Sequence, residues 1–331
     1  MTQGLPKQGK NECPNNQVEA TSACGHLSLT RRLDMGGEMT ETGQQIEISP
    51  KKIFAEAINR QGYPFQYAVI RRAQELNDAK LSQWVFEAAE FPVEVQSYHT
   101  RIDFVLSNWS GNDNGSFRYL VAECKRANPA LHDWLFTRAP YVRRGGVPKD
   151  IFVESIKREG NSLIASLSRL DRSESIYHVP VEVKGGAKGD AISTGRGAIE
   201  EAATQVIRGV NGLIECFSKN QRYLPENCPI NFIPVIFTTA KIWATDIDIA
   251  SDVTTGQVAL GSNDVVEKQW LWLQYHVSPG LQHRVDRQVP KDEPYTRATL
   301  GDLLELEYAR TIAVVGSGGI DAFLASQRWT W

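Results

Sequence analysis

The sequence predicts an α/β or α+β fold, with a central mixed β-sheet flanked by helices. Three observations lead there. Short apolar runs of strand length recur along the chain, one long amphipathic helix pattern sits among them, and the order helix, strands, long helix, strand is that of a sheet domain with helices packed on it. With 331 residues, 41% of them hydrophobic, the chain can bury one large core or two modest ones.

Taken in order, Ser49-Pro50 offers a helix start for Lys51 to Arg60. Pro64 opens a second helix, with Phe65, Val69, Ala73 and Leu76 on one face and Gln66, Arg71, Gln74 and Glu75 available for the other. Trp84 to Val95 reads as a strand region broken at Pro92. Arg101 to Leu106 and Tyr119 to Lys125 are apolar strands joined through the polar turn 107–116. Leu131 to Phe136, Ile151 to Ile156, Leu163 to Leu167 and Tyr177 to Val183 add further strands. The Gly-rich loop from Gly185 to Gly197 leads into the long helix, roughly 197–218, whose stripe is Ile199, Ala202, Val206, Val210, Leu213 and Phe217. Gln205 borders that stripe beside the small residues Ala202 and Gly209. Phe232 to Phe237, Trp270 to Val277 and Thr311 to Val315 are strands, and Leu300 to Tyr308 a helix.

Composition divides the chain unevenly. Residues 1–46, rich in Gln, Asn, Gly, Thr and Ser, are expected to form a flexible polar leader. Residues 47–245 form the core domain, with 126–196 inserted in it, and 246–331 are an α/β extension packing on that core. The net charge of −3 argues against a polycation that coats nucleic acid. No apolar run is long enough for a membrane span, and no signal-peptide pattern opens the chain, so a cytoplasmic location is expected. The five cysteines are scattered and form no zinc-type spacing, which fits reduced thiols.

The chemistry concentrates in two strands. Asp103 interrupts the first, and Glu123 and Lys125 interrupt the second. Side chains at i and i+2 of a strand share a face, so Glu123 and Lys125 point the same way and Cys124 the other. A hairpin between the runs brings Asp103 beside them. Two carboxylates and a lysine on one sheet face are costly to desolvate unless they hold a metal or a reacting anion. Mg²⁺ takes hard oxygen ligands and few protein carboxylates. Asp103, Glu123 and the Cys124 carbonyl can supply such ligands, with Lys125 near the attacking water or the phosphate.

This arrangement resembles the PD-(D/E)XK nuclease superfamily, which has the restriction-endonuclease-like fold. Asp103 matches its aspartate and Glu123-Cys124-Lys125 its ExK element, and the likeness spans about residues 50–240. Glu75 stands where several members carry an acidic residue on the first core helix, and Gln205 where RecB-like members carry a glutamine. Ile102 departs from the proline often found before the aspartate, and 126–196 separates Lys125 from the long helix. The resemblance implies a metal-dependent nuclease using Mg²⁺ or Mn²⁺, with nucleic acid, most plausibly DNA, as substrate. It implies catalytic roles for Asp103, Glu123, Lys125 and Gln205 and metal binding by Asp103, Glu123, Cys124 and Glu75. The alternative is a catalytically inactive nucleic-acid-binding or assembly protein that keeps the fold. A homodimer is left open.

A rival ExK, Glu182-Val183-Lys184, lies just before the Gly-rich loop, but Pro180 places its strand at an edge. The 126–196 segment holds 12 Lys and Arg against 8 Asp and Glu. Of these Arg138, Arg143, Arg144 and Lys149 are the candidates for phosphate contact, with Trp134 and Tyr141 nearby for base stacking. Gly316-Ser317-Gly318-Gly319 resembles a phosphate turn, but too little chain follows for a dinucleotide-binding unit, so a structural turn is expected.

Overall fold

The order of apolar runs becomes a large mixed sheet. The computed structural model describes residues 50–95, 98–110, 115–127, 132–138, 149–185, 191–193, 197–247, 253–261, 263–277 and 309–326. The leader 1–46, Tyr141, Arg143, Arg144, the helix expected at Leu300 to Tyr308 and the side chain of Lys184 lie outside these residues. All described residues from Ile53 onward belong to one structural unit.

Helices α1 (Pro50–Arg60) and α2 (Tyr63–Asp78) come first, α2 with proline in its first turn. Strands β1 (Val85–Val95), β2 (Tyr98–Ser110) and β3 (Ser116–Lys125) follow as an antiparallel run. Pro92 does not break β1, because β1 is an edge strand and its lost N–H interrupts no second ladder. Next come β4 (Asp133–Thr137), β5 (Asp150–Glu159), β6 (Ser162–Arg172), β7 (Ile176–Tyr177), β8 (Val179–Gly185) and β9 (Ala191–Ser193). Then follow α3 (Gly197–Lys219), β10 (Pro229–Thr238), β11 (Lys241–Thr245), β12 (Val266–Lys268), β13 (Trp270–His276), β14 (Ala309–Gly316) and α4 (Ile320–Ser326).

The nine-stranded sheet runs β1-β2-β3-β10-β14-β13-β7, with the β5–β6 hairpin joined to the first half of β10. Strands β3, β10 and β14 are mutually parallel. Their near-continuous apolar sequences suit strands covered on both faces. One face carries Val121, Ile236 and Val314 against the α3 residues Ile199, Val206 and Val210. The other carries Leu120, Val235 and Phe237 against Val69, Ala73 and Leu76 of α2 and Phe323 of α4.

Two parts of the expected organisation change. A second sheet, β12-β11-β4-β8-β9, was not foreseen; its Trp134, Phe136 and Ile242 join the core beneath α3. Trp134 is therefore core and no stacking platform. The boundary drawn at 246 falls inside the fold, because β14 lies between β10 and β13 in the main sheet. Likewise 126–196 supplies strands to both sheets. The Gly316–Gly319 turn is structural: a Cβ on Gly319 would lie 2.3 Å from the Gln269 carbonyl oxygen.

Candidate functional site

The three parallel strands end together, with Lys125 beside Thr238 and Thr238 beside Gly316. Open α/β sheets bind ligands outside such carboxyl ends. Glu123 and Lys125 stand there, on the face covered by α3. Helix α3 reaches them because it lies very close to the sheet. A Cβ on Gly209 would meet Ile102 Cγ1 at 3.0 Å, and one on Gly212 would meet Val93 Cβ at 2.4 Å.

That approach places Gln205 and Glu201 over Lys125. The Lys125 ammonium donates to Gln205 Oε1 at 2.8 Å and pairs with Glu123 Oε1 at 3.2 Å and Glu201 Oε1 at 3.4 Å. An ammonium carries three protons, and three oxygens surround this one. Gln205 Nε2 in turn donates to Glu201 Oε1 at 3.4 Å.

Asp103 joins from β2. The β2–β3 ladder runs to Phe104 opposite Ala122 and stops one pair short of Asp103 and Glu123. The Asp103 side chain takes over there, with Oδ2 accepting the Cys124 N–H at 2.7 Å. The β1–β2 ladder has a matching gap. Ala89 pairs with Phe104 and Phe91 with Ile102, and Glu90 and Asp103 stand between them. Glu90 has φ +52°, in the left-handed region. Ala89 faces the α2 side and Phe91 the α3 side, although they are two residues apart, so the strand changes phase at Glu90. Such backbone is costly for a non-glycine residue and clusters at functional sites.

Gln66 holds this irregular point. It is 2% exposed, and its Nε2 donates to the Asp103 carbonyl at 2.7 Å and to Glu90 Oε1 at 2.9 Å. Gln66 was expected on the polar face of α2, and sequence reasoning missed it and Glu90. One signal was available for Gln66: its spacing from Val69, Ile70 and Ala73 puts it in the apolar stripe.

The electrostatics follow from burial. Glu123 is 7% exposed, and burial, then the Asp103 charge, push its carboxyl up to about 8 despite Lys125. Asp103 is raised by burial, opposed by the Cys124 N–H, with the Glu90 charge raising it further. Burial also pushes the Cys124 thiol well up. At the strand ends burial thus outweighs the Lys125 charge. Among the described residues no group of three or more His, Cys, Asp and Glu is arranged to hold a metal ion. Asp103 and Glu123 are nonetheless two hard-oxygen donors, and Mg²⁺ commonly takes only one or two carboxylates, with water completing its shell.

The remaining expected residues lie elsewhere. Glu75 is not in the cluster: it is exposed, pairs with Arg72 at 3.0 Å, and Arg72 bridges to Asp321 on α4. Glu182 is buried because it caps α3, accepting the backbone N–H groups of Ala198 and, at 3.1 Å, Ile199. Strand β8 is not the edge strand expected from Pro180, since it lies between β4 and β9; Pro180 is tolerated because it sits beyond the span that β9 pairs. Arg138 lies over the Tyr177 ring and pairs with Asp246 at 3.3 Å, and Lys149 pairs with Glu174 at 2.7 Å. Both basic side chains thus already have acidic partners.

Comparison of the chain with family models, with characterised proteins and with solved structures gives no match. Among the described residues no helix is long and apolar enough to cross a membrane.

Proposed function

We propose that the protein is a metal-dependent nuclease that hydrolyses phosphodiester bonds in nucleic acid, most plausibly DNA. The observation that carries this reading is the meeting of Asp103, Glu123 and Lys125 at the ends of the parallel strands, with burial and the Asp103 charge raising Glu123 to about 8 despite Lys125. A buried carboxylate pair of this kind is stabilised by a divalent cation. The donor set fits Mg²⁺ or Mn²⁺: Asp103 Oδ1, free of the Cys124 bond, Glu123, and the Cys124 carbonyl. Such an ion would polarise the phosphoryl group and lower the pKa of a bound water.

The chain's own residues supply the rest. Lys125 Nζ exchanges one of its three acceptors for a phosphoryl oxygen and offsets charge gathering in the transition state. Gln205 and Glu201 keep the ammonium aimed. Gln66 fixes the strand from which Asp103 projects. The water oxygen bonds to phosphorus, the bond from phosphorus to one sugar oxygen breaks, and that oxygen takes up a proton. The likeness to the PD-(D/E)XK nucleases supports the same residues.

The test is incubation of purified protein with supercoiled plasmid and end-labelled single- and double-stranded oligonucleotides, in Mg²⁺, Mn²⁺ or EDTA. Cleavage with metal and none in EDTA is expected. Binding without cleavage under every metal condition would favour the non-catalytic alternative.

A further inference from the structure

The groove beside Lys125 leads to a cation and an exposed aromatic ring. An open groove of about 590 Å³ runs along α3, lined by Gly197, Glu200, Glu201, Thr204, Gln205 and Arg208. Gln205 belongs to both groove and site, since it holds Lys125. Arg208 follows Gln205 by three residues, about 4.5 Å along the axis. Its guanidinium lies 5.3 Å from the centroid of the Tyr98 ring, within cation–π range. Tyr98 is 63% exposed, so this contact leaves much of its surface to solvent. The two acidic residues lie toward the other end. Glu201 is paired with Lys125, and Glu200 stands in the first turn of α3, where the helix end favours a carboxylate.

We propose that this groove holds an unpaired nucleic-acid strand, with Arg208 on a backbone phosphate and Tyr98 stacked against a base, a few nucleotides from the bond held at Lys125; this rests on the nuclease reading above. Asp103 and Tyr98 are five positions apart on β2, about 17 Å along the strand. An extended strand lying along α3, from Gln205 beside Lys125 to Arg208 beside Tyr98, reaches both. A guanidinium that stacks and still presents N–H donors suits a phosphate beside a base. An aromatic ring reads a base through its π-face, which is available only when that base is unstacked from its neighbours.

The experiment is fluorescence anisotropy in EDTA, which keeps binding apart from cleavage. The probe is a labelled oligothymidylate of about 20 nucleotides, longer than the ~4–16 covered by a typical single-strand groove, alongside a duplex of equal length. Tyr98→Leu is expected to weaken single-strand binding about 5- to 150-fold, and Tyr98→Phe to leave it near wild type, because the ring does the stacking. Duplex affinity should change less. Arg208→Gln is expected to reduce the slope of log affinity against log salt by about 0.7, one phosphate contact on a single strand. Thermal melting of each variant separates lost binding from lost folding. A folded wild type that cleaves with Mg²⁺, but whose binding is indifferent to Tyr98 and Arg208, would overturn the groove and leave the nuclease reading standing. An equal loss of duplex and single-strand binding in Tyr98→Leu would overturn the unpaired strand. A wild type that neither binds nor cleaves would overturn both.

Discussion

Lys125 stands among three oxygens, of Gln205, Glu123 and Glu201, and yet burial keeps the Glu123 carboxyl raised. The consequence for stability has a definite sign. Glu123 has a folded pKa of about 8 against an ordinary 4.5. The folded state therefore binds the proton more tightly, and its contribution is complete below pH 4.5. Above that it is lost progressively as pH rises to about 8. Melting in EDTA across this window should show falling stability, at most about 1.4 kcal/mol per pH unit from this group. Glu123→Gln, which cannot ionise, should flatten the profile; an unchanged profile would mean the carboxylate is not desolvated as described. Much of the cluster was readable from spacing. Alternation along a strand joins Glu123 to Lys125, and the helical stripe beside Ala202 and Gly209 places Gln205. Glu75 faces away from the stripe of Val69, Ala73 and Leu76, as its spacing predicts, and its metal role came only from the resemblance; Gln66 is the residue that the same stripe turns inward. Glu90 had no signal, since a left-handed residue within a strand leaves no periodicity to read.

At the scale of the element, α3 decides whether a site exists. It brings Gln205 over Lys125 only because Gly209 and Gly212 let it lie against β1 and β2. Gly212→Ala would drive a methyl to 2.4 Å from Val93 Cβ, and a β-branched neighbour cannot turn away cheaply. Overpacking of this kind costs about 1–3 kcal/mol, measurable by urea denaturation. A substitution without effect would mean that α3 sits farther from the sheet. The start of the helix depends on Glu182, so the rival ExK carboxylate has a structural duty. Glu182→Ala should cost about 0.5–2 kcal/mol, as other lost N-caps do, and leave the cleavage rate of folded protein near wild type. A loss of turnover at unchanged stability would return Glu182 to the chemistry. The cap was not legible, because the Gly-rich loop 185–197 conceals which residue closes the helix end.

Across the whole molecule, the apolar strands and the mixed sheet followed from the sequence, but their partners did not. Strand β14 enters the sheet between β10 and β13, and β11 pairs with β4 from more distant sequence. Pairing at such separations is set by burial and topology and leaves no local pattern. The C-terminal segment therefore read as an extension when it is part of the sheet that carries Glu123. This architecture sets the strand ends, α2 and α3 around one cluster, which we propose hydrolyses phosphodiesters. The most direct test is the single-turnover cleavage rate of a labelled oligonucleotide in Mg²⁺ for wild type, Asp103→Asn, Glu123→Gln, Lys125→Ala and Lys184→Ala, each shown by melting to be folded. Asp103→Asn and Glu123→Gln should abolish cleavage, and Lys125→Ala should slow it about 10²–10⁴-fold. Lys184→Ala should cleave like wild type. Wild-type rates in the first three, or a dead Lys184→Ala, would contradict the assignment.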